Sequence, residues 1–201
     1  MPYLMRVELP DVPGSLGRVA SAIGEAGGDI EAIEIVEKRD GFAVDDVLLE
    51  IPPGTMPDSI ISACSVLDGV SVLWISRYAA GGNLFLDLEV VEALTEDPST
   101  ARDRLVELLP IAFRVDWAAR VTPGENGGTV VHATDAAPSA YDVQPVAAPT
   151  RLPGDEVYVE CAAPFGNDLV LMGRRGGPEF LDSELARLEH LLGLAITISH
   201  G

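Results

Sequence analysis

The sequence predicts an α+β protein of two folded units, each built on an antiparallel sheet, and three observations carry this prediction. Strand and helix patterns follow the order β-α-β-β-α-β over about residues 3–77. Small residues at 79–83 then indicate a linker. The remainder shows two helical segments, several short strands and a final helix. We therefore expect one domain at residues 1–78 and a second at residues 84–201.

Composition and charge exclude several classes of protein. The chain has 201 residues, of which 47% are hydrophobic, and this is enough to bury two cores. Its net charge is −19, and Lys38 is its single lysine, so it lacks the basic clusters that bind nucleic acid or anionic membranes. No uncharged stretch approaches the ~20 residues of a membrane helix. We expect a cytoplasmic protein with neither a nucleic acid nor a membrane partner.

The first half opens with an apolar strand, Tyr3 to Leu9, a tight turn and an amphipathic helix that ends near residues 27–28. In the turn, Pro13 restricts its own φ, Gly14 can adopt a positive φ, and Ser15 is predicted to cap the helix. A helix start carries free N–H groups and partial positive charge, so this turn is a candidate carboxylate site. The alternative is a plain strand-to-helix connection.

The next elements complete the first unit. A second strand opens at residues 29–30, and an Arg-Asp-Gly hairpin turn at 39–41 leads into a third strand that ends near residue 51. A helix follows, with an apolar stripe formed by Ile60, Cys64 and Leu67. The fourth strand covers about residues 70–77, and the hairpin makes the pairing antiparallel.

Three short motifs resemble the ACT domain family: the run DVPGSLG at 11–17, GDI at 28–30 and LDGV at 67–70. The resemblance covers about residues 3–78. It implies a ferredoxin-like fold, a regulatory and allosteric role, homodimers paired through sheet edges, and an amino acid bound at the dimer interface.

The same resemblance implies a set of ligand-binding residues. The backbone N–H groups near residues 14–16 would hold the ligand carboxylate, and Asp11 or Asp29 would accept hydrogen bonds from the ammonium group. Asp29 occupies a position where the family often has Asn, which favours either a cationic group nearby or a solvated carboxylate. The predicted site consists of Asp11, Val12, Pro13, Gly14, Ser15, Leu16, Asp29 and Ile30.

The second half is predicted to contain paired helices, an antiparallel sheet and a long connection. The helices are expected at 84–94 and 99–109, with Pro110 ending the second. Four proline residues predict an irregular loop at 134–155. Strands are expected at 113–121, 129–133, 157–161 and 169–173, and the last helix at about 182–196.

This half resembles a GAF-like sensor domain over about residues 84–198, through the strand LVLMGR at 169–174, GPEF at 177–180 and the helix that follows. The resemblance implies a unit that relays the state of the first domain or binds a second ligand. A divergent second ferredoxin-like unit is the alternative. The basic pair Arg174-Arg175 is either an exposed turn or a clamp for an anionic ligand beneath the long loop.

No residue pattern indicates catalysis. Asp45 and Asp46 are adjacent in a strand, so they point to opposite faces, and a solvated or interface role is expected for them. No His spacing typical of a metal site is present, and Cys64 and Cys161 are expected in the core. We therefore predict neither metal nor cofactor. An enzyme would require Arg174, His132 and an acidic residue to meet in one pocket.

These observations predict a non-catalytic regulatory protein that senses a small molecule, most simply an amino acid. The alternative is a ligand-free dimeric scaffold whose acidic surface docks a protein partner.

Overall fold

The computed structural model describes residues 2–77, 86–124, 127–153 and 157–200. The chain divides into two compact units, residues 1–81 and 82–201. The predicted linker at 79–83 lies outside the described residues. Each unit has its own sheet and its own hydrophobic core.

The first unit has the predicted βαββαβ order, and its strands are all antiparallel. The sheet order is β2-β3-β1-β4, so the first strand is central and β2 and β4 are the edges. The elements are β1 (Pro2–Pro10), α1 (Ser15–Glu25), β2 (Asp29–Arg39), β3 (Phe42–Glu50), α2 (Pro57–Ser65) and β4 (Ser71–Arg77). The predicted ferredoxin-like fold is confirmed.

The core of the first unit lies between one face of the sheet and the two helices. Side chains of a strand alternate between faces, so every second residue of β1 and β3 points towards the helices. Val7 and Val47 are fully buried there against Ile23 of α1 and Ile60 of α2. Full burial of such a side chain contributes about 1.5–3 kcal/mol. Cys64 is a free, buried thiol in the same core, as expected.

The second unit is a five-stranded antiparallel sheet with the order β6-β5-β9-β8-β7. The elements are α3 (Leu86–Glu96), a short 3-10 turn (Pro98–Thr100), α4 (Ala101–Phe113), β5 (Trp117–Thr122), β6 (Thr129–Ala133), β7 (Thr150–Leu152), β8 (Tyr158–Phe165), β9 (Asp168–Arg175) and α5 (Asp182–Ile198). The sequence pattern missed β7, which lies within the predicted irregular loop at 134–155. This strand pairs with β8.

The order of helices and strands along the chain excludes the alternative of a second ferredoxin-like unit. That fold needs a helix after its first strand, whereas the described residues between β5 and β9 contain no helix. Helices α4 and α5 pack on one face of the sheet, where Leu105, Leu188 and Met172 are fully buried, and α3 packs against these two helices. The other face carries a separate apolar cluster that includes Trp117 and Tyr141.

Helix α4 corrects a second expectation. Pro110 was predicted to end this helix, but it lies inside α4, which continues to Phe113. The last turn buries Ala112 and Phe113, and this burial offsets the hydrogen bond that the proline cannot donate. The helix ends at Arg114, which adopts a left-handed conformation with φ 51°.

Candidate functional site

The turn between β1 and α1 is anchored to the β2–β3 hairpin and is exposed to solvent. The backbone N–H of Asp11 donates to the Gly41 carbonyl oxygen at 2.9 Å, and Val12 is 56% exposed. Gly14 has φ +91°, and a Cβ at this position would meet no atom within 4 Å. Glycine is therefore required here for backbone conformation, and the space in front of it is open.

The start of α1 is uncapped. Gly14, rather than the predicted Ser15, is the N-cap residue, and no side chain accepts a hydrogen bond there. Ser15 is instead the first helical residue; its side chain is buried, and its Oγ accepts from Arg18 Nη2 at 3.4 Å. The N–H groups of Leu16 and Gly17, which an α-helix leaves without intrahelical acceptors, have no capping side chain.

Helix α1 also differs from the other helices in its charge. Among the five described α-helices it alone has no acidic residue in its first turn, although the chain carries a net charge of −19. The partial positive charge of its N-terminus is therefore not neutralised by its own side chains. A cleft of about 410 Å³ runs along the helix and is lined by Gly14, Gly17, Arg18, Ser21, Ala22, Glu25 and Leu67.

The structure separates Asp29 and Ile30 from this turn. Asp29 pairs with Glu50 at one end of β3, whereas Pro10, just before the turn, pairs with Phe42 at the other end. The two ends are eight residue steps apart along β3, about 27 Å at ~3.4 Å per step. Asp29 therefore cannot contact a small ligand bound at the turn of its own chain, and only a second copy could bring such a residue there.

One charged pair borders the turn. Lys38 Nζ lies 2.8 Å from Asp11 Oδ1, and both side chains are about half exposed. Lys38 is opposite Ala43 in the β2–β3 register, so it lies at the same end of the sheet as the turn. The structure thus brings Asp11, Val12, Pro13 and Gly14 together on one exposed surface beside the uncapped helix start.

Asp45 and Asp46 are both buried, so the expected solvated role is wrong for each. Asp46 is 2% exposed, and Arg6 holds it with Nε–Oδ1 and Nη2–Oδ2 distances of 2.7 and 2.9 Å. Asp45 is 1% exposed, and its Oδ1 accepts no hydrogen bond from the part of the chain that the structure describes. Burial raises the pKa of Asp45, and the nearby Lys38 ammonium opposes this rise.

The basic pair of the second unit does not form the predicted clamp. Arg174 is buried on the helix-covered face of β9, where it donates to the Phe113 carbonyl oxygen at 3.0 Å and to Glu184 at 2.8 Å. Arg175 is exposed and points to the opposite face. Successive strand residues diverge, so the two guanidinium groups cannot bind one anion together.

Two polar atoms lie unpaired in the apolar cluster on the other face of the second sheet. The rings of Trp117 and Tyr141 are 5.8 Å apart, and neither Trp117 Nε1 nor the Tyr141 hydroxyl has a hydrogen-bond partner among the described residues. Burial, together with the charge of Glu160, raises the pKa of Tyr141 to about 12. The sequence patterns gave no signal for this pair.

The described residues hold no cluster of three or more potential metal ligands. His132 Nε2 lies 3.4 Å from Glu107, while Arg174 has the separate partners given above, so the structure does not pair them as an enzyme would require. Cys161 is a buried free thiol whose pKa burial raises to about 12, consistent with its expected place in the core. None of the helices in the described ranges has both the length and the apolar character needed to cross a membrane.

Comparison with known proteins identifies the first unit. Residues 3–63 match the family model of the ACT domain, so the predicted resemblance of this unit is confirmed. Over 73 residues the chain is 33% identical to NAD-dependent malic enzyme 1 of Bacillus subtilis (strain 168). This match covers 36% of the chain and 17% of the length of that relative.

Solved structures give partial matches. The GAF domain of a phosphoenolpyruvate-protein phosphotransferase from Acinetobacter matches with a TM-score of 0.44 and 11% identity, covering 61% of this chain and 95% of that domain. An unknown protein from Galdieria sulphuraria matches 99% of this chain and 91% of its own, with a TM-score of 0.36 and 14% identity.

Proposed function

We propose that the chain is a cytoplasmic regulatory protein that senses a free amino acid at the start of α1. One observation carries the proposal: this helix start is exposed, uncapped and free of acidic residues in its first turn, in a segment that matches the ACT domain. Such a helix start attracts a carboxylate through its N–H groups and its dipole. Regulation by a bound amino acid is what the ACT resemblance implies.

The proposed contacts follow from the geometry of the turn. The ligand carboxylate accepts hydrogen bonds from the N–H groups of Leu16 and Gly17, and the open space at Gly14 admits it. The ligand ammonium lies towards the carboxylates at the same end of the sheet, which include the exposed Asp11. An amino acid fits this site because its carboxylate can accept from the N–H donors and its ammonium group can donate to the carboxylate acceptors.

The proposal includes a homodimer and a role for the second unit. Pairing of two copies, which the ACT resemblance implies, would let Asp29 and Ile30 of one copy reach the turn of the other. The second unit relays the bound state or binds a second ligand. The unpaired polar atoms of Trp117 and Tyr141 support a second ligand, because a buried donor without an acceptor is costly.

Two glycines of α1 provide a matched test. Gly17 and Gly24 are both helical, and a Cβ at either would meet no atom within 4 Å. We expect Gly17→Leu to abolish any rise in Tm that an amino acid produces, because its side chain would extend over the helix start. Gly24→Leu should keep the rise. Both should stabilise the unliganded protein by up to ~1 kcal/mol, since leucine favours helix more than glycine does.

The measurement is a thermal-shift screen of the twenty amino acids, with light scattering for the oligomeric state. Ligand that binds only the native state raises Tm by mass action. If no amino acid changes the Tm of the wild-type protein, the sensing proposal fails. A dimer that shows no response would then favour the ligand-free scaffold.

A further inference from the structure

Asp45 is as buried as a core residue, yet its side chain is a carboxyl group that can bind a cation. It alternates on β3 with Ala43 and Val47, both core members, so its side chain points to the face that the helices cover. It is 1% exposed, and no group within residues 2–77, 86–124, 127–153 and 157–200 donates a hydrogen bond to its Oδ1. Buried polar atoms nearly always have a hydrogen-bond partner, so this unpaired oxygen requires an explanation. A ligand that donates a hydrogen bond to it would provide one.

The register places this carboxylate near the turn. Asp45 is opposite Val7 of β1 and lies three residues along β3 from Phe42, about 10 Å from the end where the turn begins. Asp29, the acceptor suggested by sequence, pairs at the opposite end of the same strand. Within one chain, Asp45 therefore lies nearer than Asp29 to the end of the sheet where the turn begins.

The local charges are out of balance. The charged groups that act on the Asp45 carboxyl are Lys38, Asp11 and Asp46. Arg6 already neutralises Asp46, and Lys38 contacts Asp11 at 2.8 Å. One ammonium group thus serves two carboxylates, Asp11 and Asp45. A second cationic group would give each of these two carboxylates its own positive charge.

We propose that Asp45 determines the specificity of the site by receiving the ammonium group of the ligand, whose carboxylate binds at the start of α1. The ligand class is then a zwitterionic α-amino acid, and 2-hydroxy acids are rejected because they lack a cation. Lys38 Nζ contacts Asp11 at 2.8 Å, so the ligand ammonium is the cation that we assign to Asp45. This inference rests on the proposed function.

The test compares two ligands on the wild-type protein. The amino acid that gives the largest Tm rise in the screen is set against the 2-hydroxy acid with the same side chain. We expect the hydroxy acid to give no rise at the same concentration. An equal rise would overturn the role of Asp45 while leaving a carboxylate site at α1.

A variant makes the test specific to the residue. Asp45→Asn should weaken the apparent Kd for the amino acid at least tenfold, while the Tm of the unliganded protein stays equal or rises. Asp68→Asn, which removes an exposed charge after α2, should change neither. Unchanged affinity in Asp45→Asn overturns the inference but not the sensing function. Absence of any wild-type response overturns both.

Discussion

Asp45 and Asp46 are neighbours on β3 and almost equally buried, yet only Asp46 is held by a cation. Removing one partner of a buried ion pair costs about 3–5 kcal/mol, so Arg6 and Asp46 depend on each other. An unsatisfied buried polar group costs about 1–3 kcal/mol, and more when it is charged. Asp45 therefore destabilises the folded protein, which is typical of residues retained for binding.

Replacing Asp45 with Val should stabilise the protein in a pH-dependent way. Burial raises the folded-state pKa of Asp45 above its usual value of 3.8. The folded state then keeps a proton that the unfolded state has lost, so the free energy of unfolding falls as pH rises from 3.8 through the folded pKa. We expect Asp45→Val to gain about 1–3 kcal/mol near neutral pH. This gain should shrink as pH falls towards 3.8.

Urea unfolding of both proteins at neutral and mildly acidic pH measures this difference. Asp68→Asn provides the control for loss of one negative charge from the surface. A lower stability of Asp45→Val at neutral pH would contradict the assignment of Asp45 as an unpaired buried carboxylate.

One side chain of the second unit, that of Arg174, makes hydrogen bonds to two helices. Arg174 of β9 donates to the Phe113 carbonyl at the end of α4 and to Glu184 in the first turn of α5. Glu184 in turn accepts from the backbone N–H of Leu181 at 2.8 Å. The guanidinium also lies 4.6 Å from the centre of the Phe180 ring. One group thus satisfies polar atoms at two helix ends.

Arg174→Met should cost about 3–5 kcal/mol, because it removes the buried guanidinium group from its ion pair with the Glu184 carboxylate. Arg175→Met is a matched control from the next position; it alters an exposed side chain and should stay within about 0.5 kcal/mol of wild type. Urea unfolding of the two variants measures both effects. Equal losses of stability would show that Arg174 does not connect α4 and α5.

At the scale of the whole molecule, negative charge is in excess. The chain carries a net charge of −19 and 13 Lys and Arg residues. Exposed ion pairs such as Lys38–Asp11 contribute about 0–1 kcal/mol each. Repulsion among the remaining carboxylates disfavours the compact state. The balance of these effects sets how the protein responds to salt.

Added NaCl should therefore raise the Tm. Screening shortens the Debye length from about 30 Å at 0.01 M to about 8 Å at 0.15 M, which weakens the long-range repulsion. We expect a rise of a few degrees over this range by differential scanning calorimetry, with sucrose at matched osmolarity as the control. A fall in Tm with NaCl would mean that attractive ion pairs outweigh the net repulsion.

Local chemistry made much of this protein predictable. Alternating apolar residues, the Asp-Gly hairpin and the turn at 11–16 depend on neighbours in sequence, so they indicate βαββαβ in the first unit and an antiparallel sheet in the second. The same local signals identified the start of α1 as the candidate site. Where a local rule competed with burial, as for Ser15 and Pro110, the prediction was wrong.

The sequence by itself thus determined the order of elements in the first unit, the antiparallel sheet of the second, the acidic character and the position of the turn. Only the tertiary structure decided which side chains meet there. Strand register places Asp29 at the far end of β3, and strand alternation turns Arg174 towards the helices. Asp45 Oδ1 has no hydrogen-bond partner among the described residues for the same reason: which residues far apart in sequence face each other depends on register and packing, and no short motif encodes either.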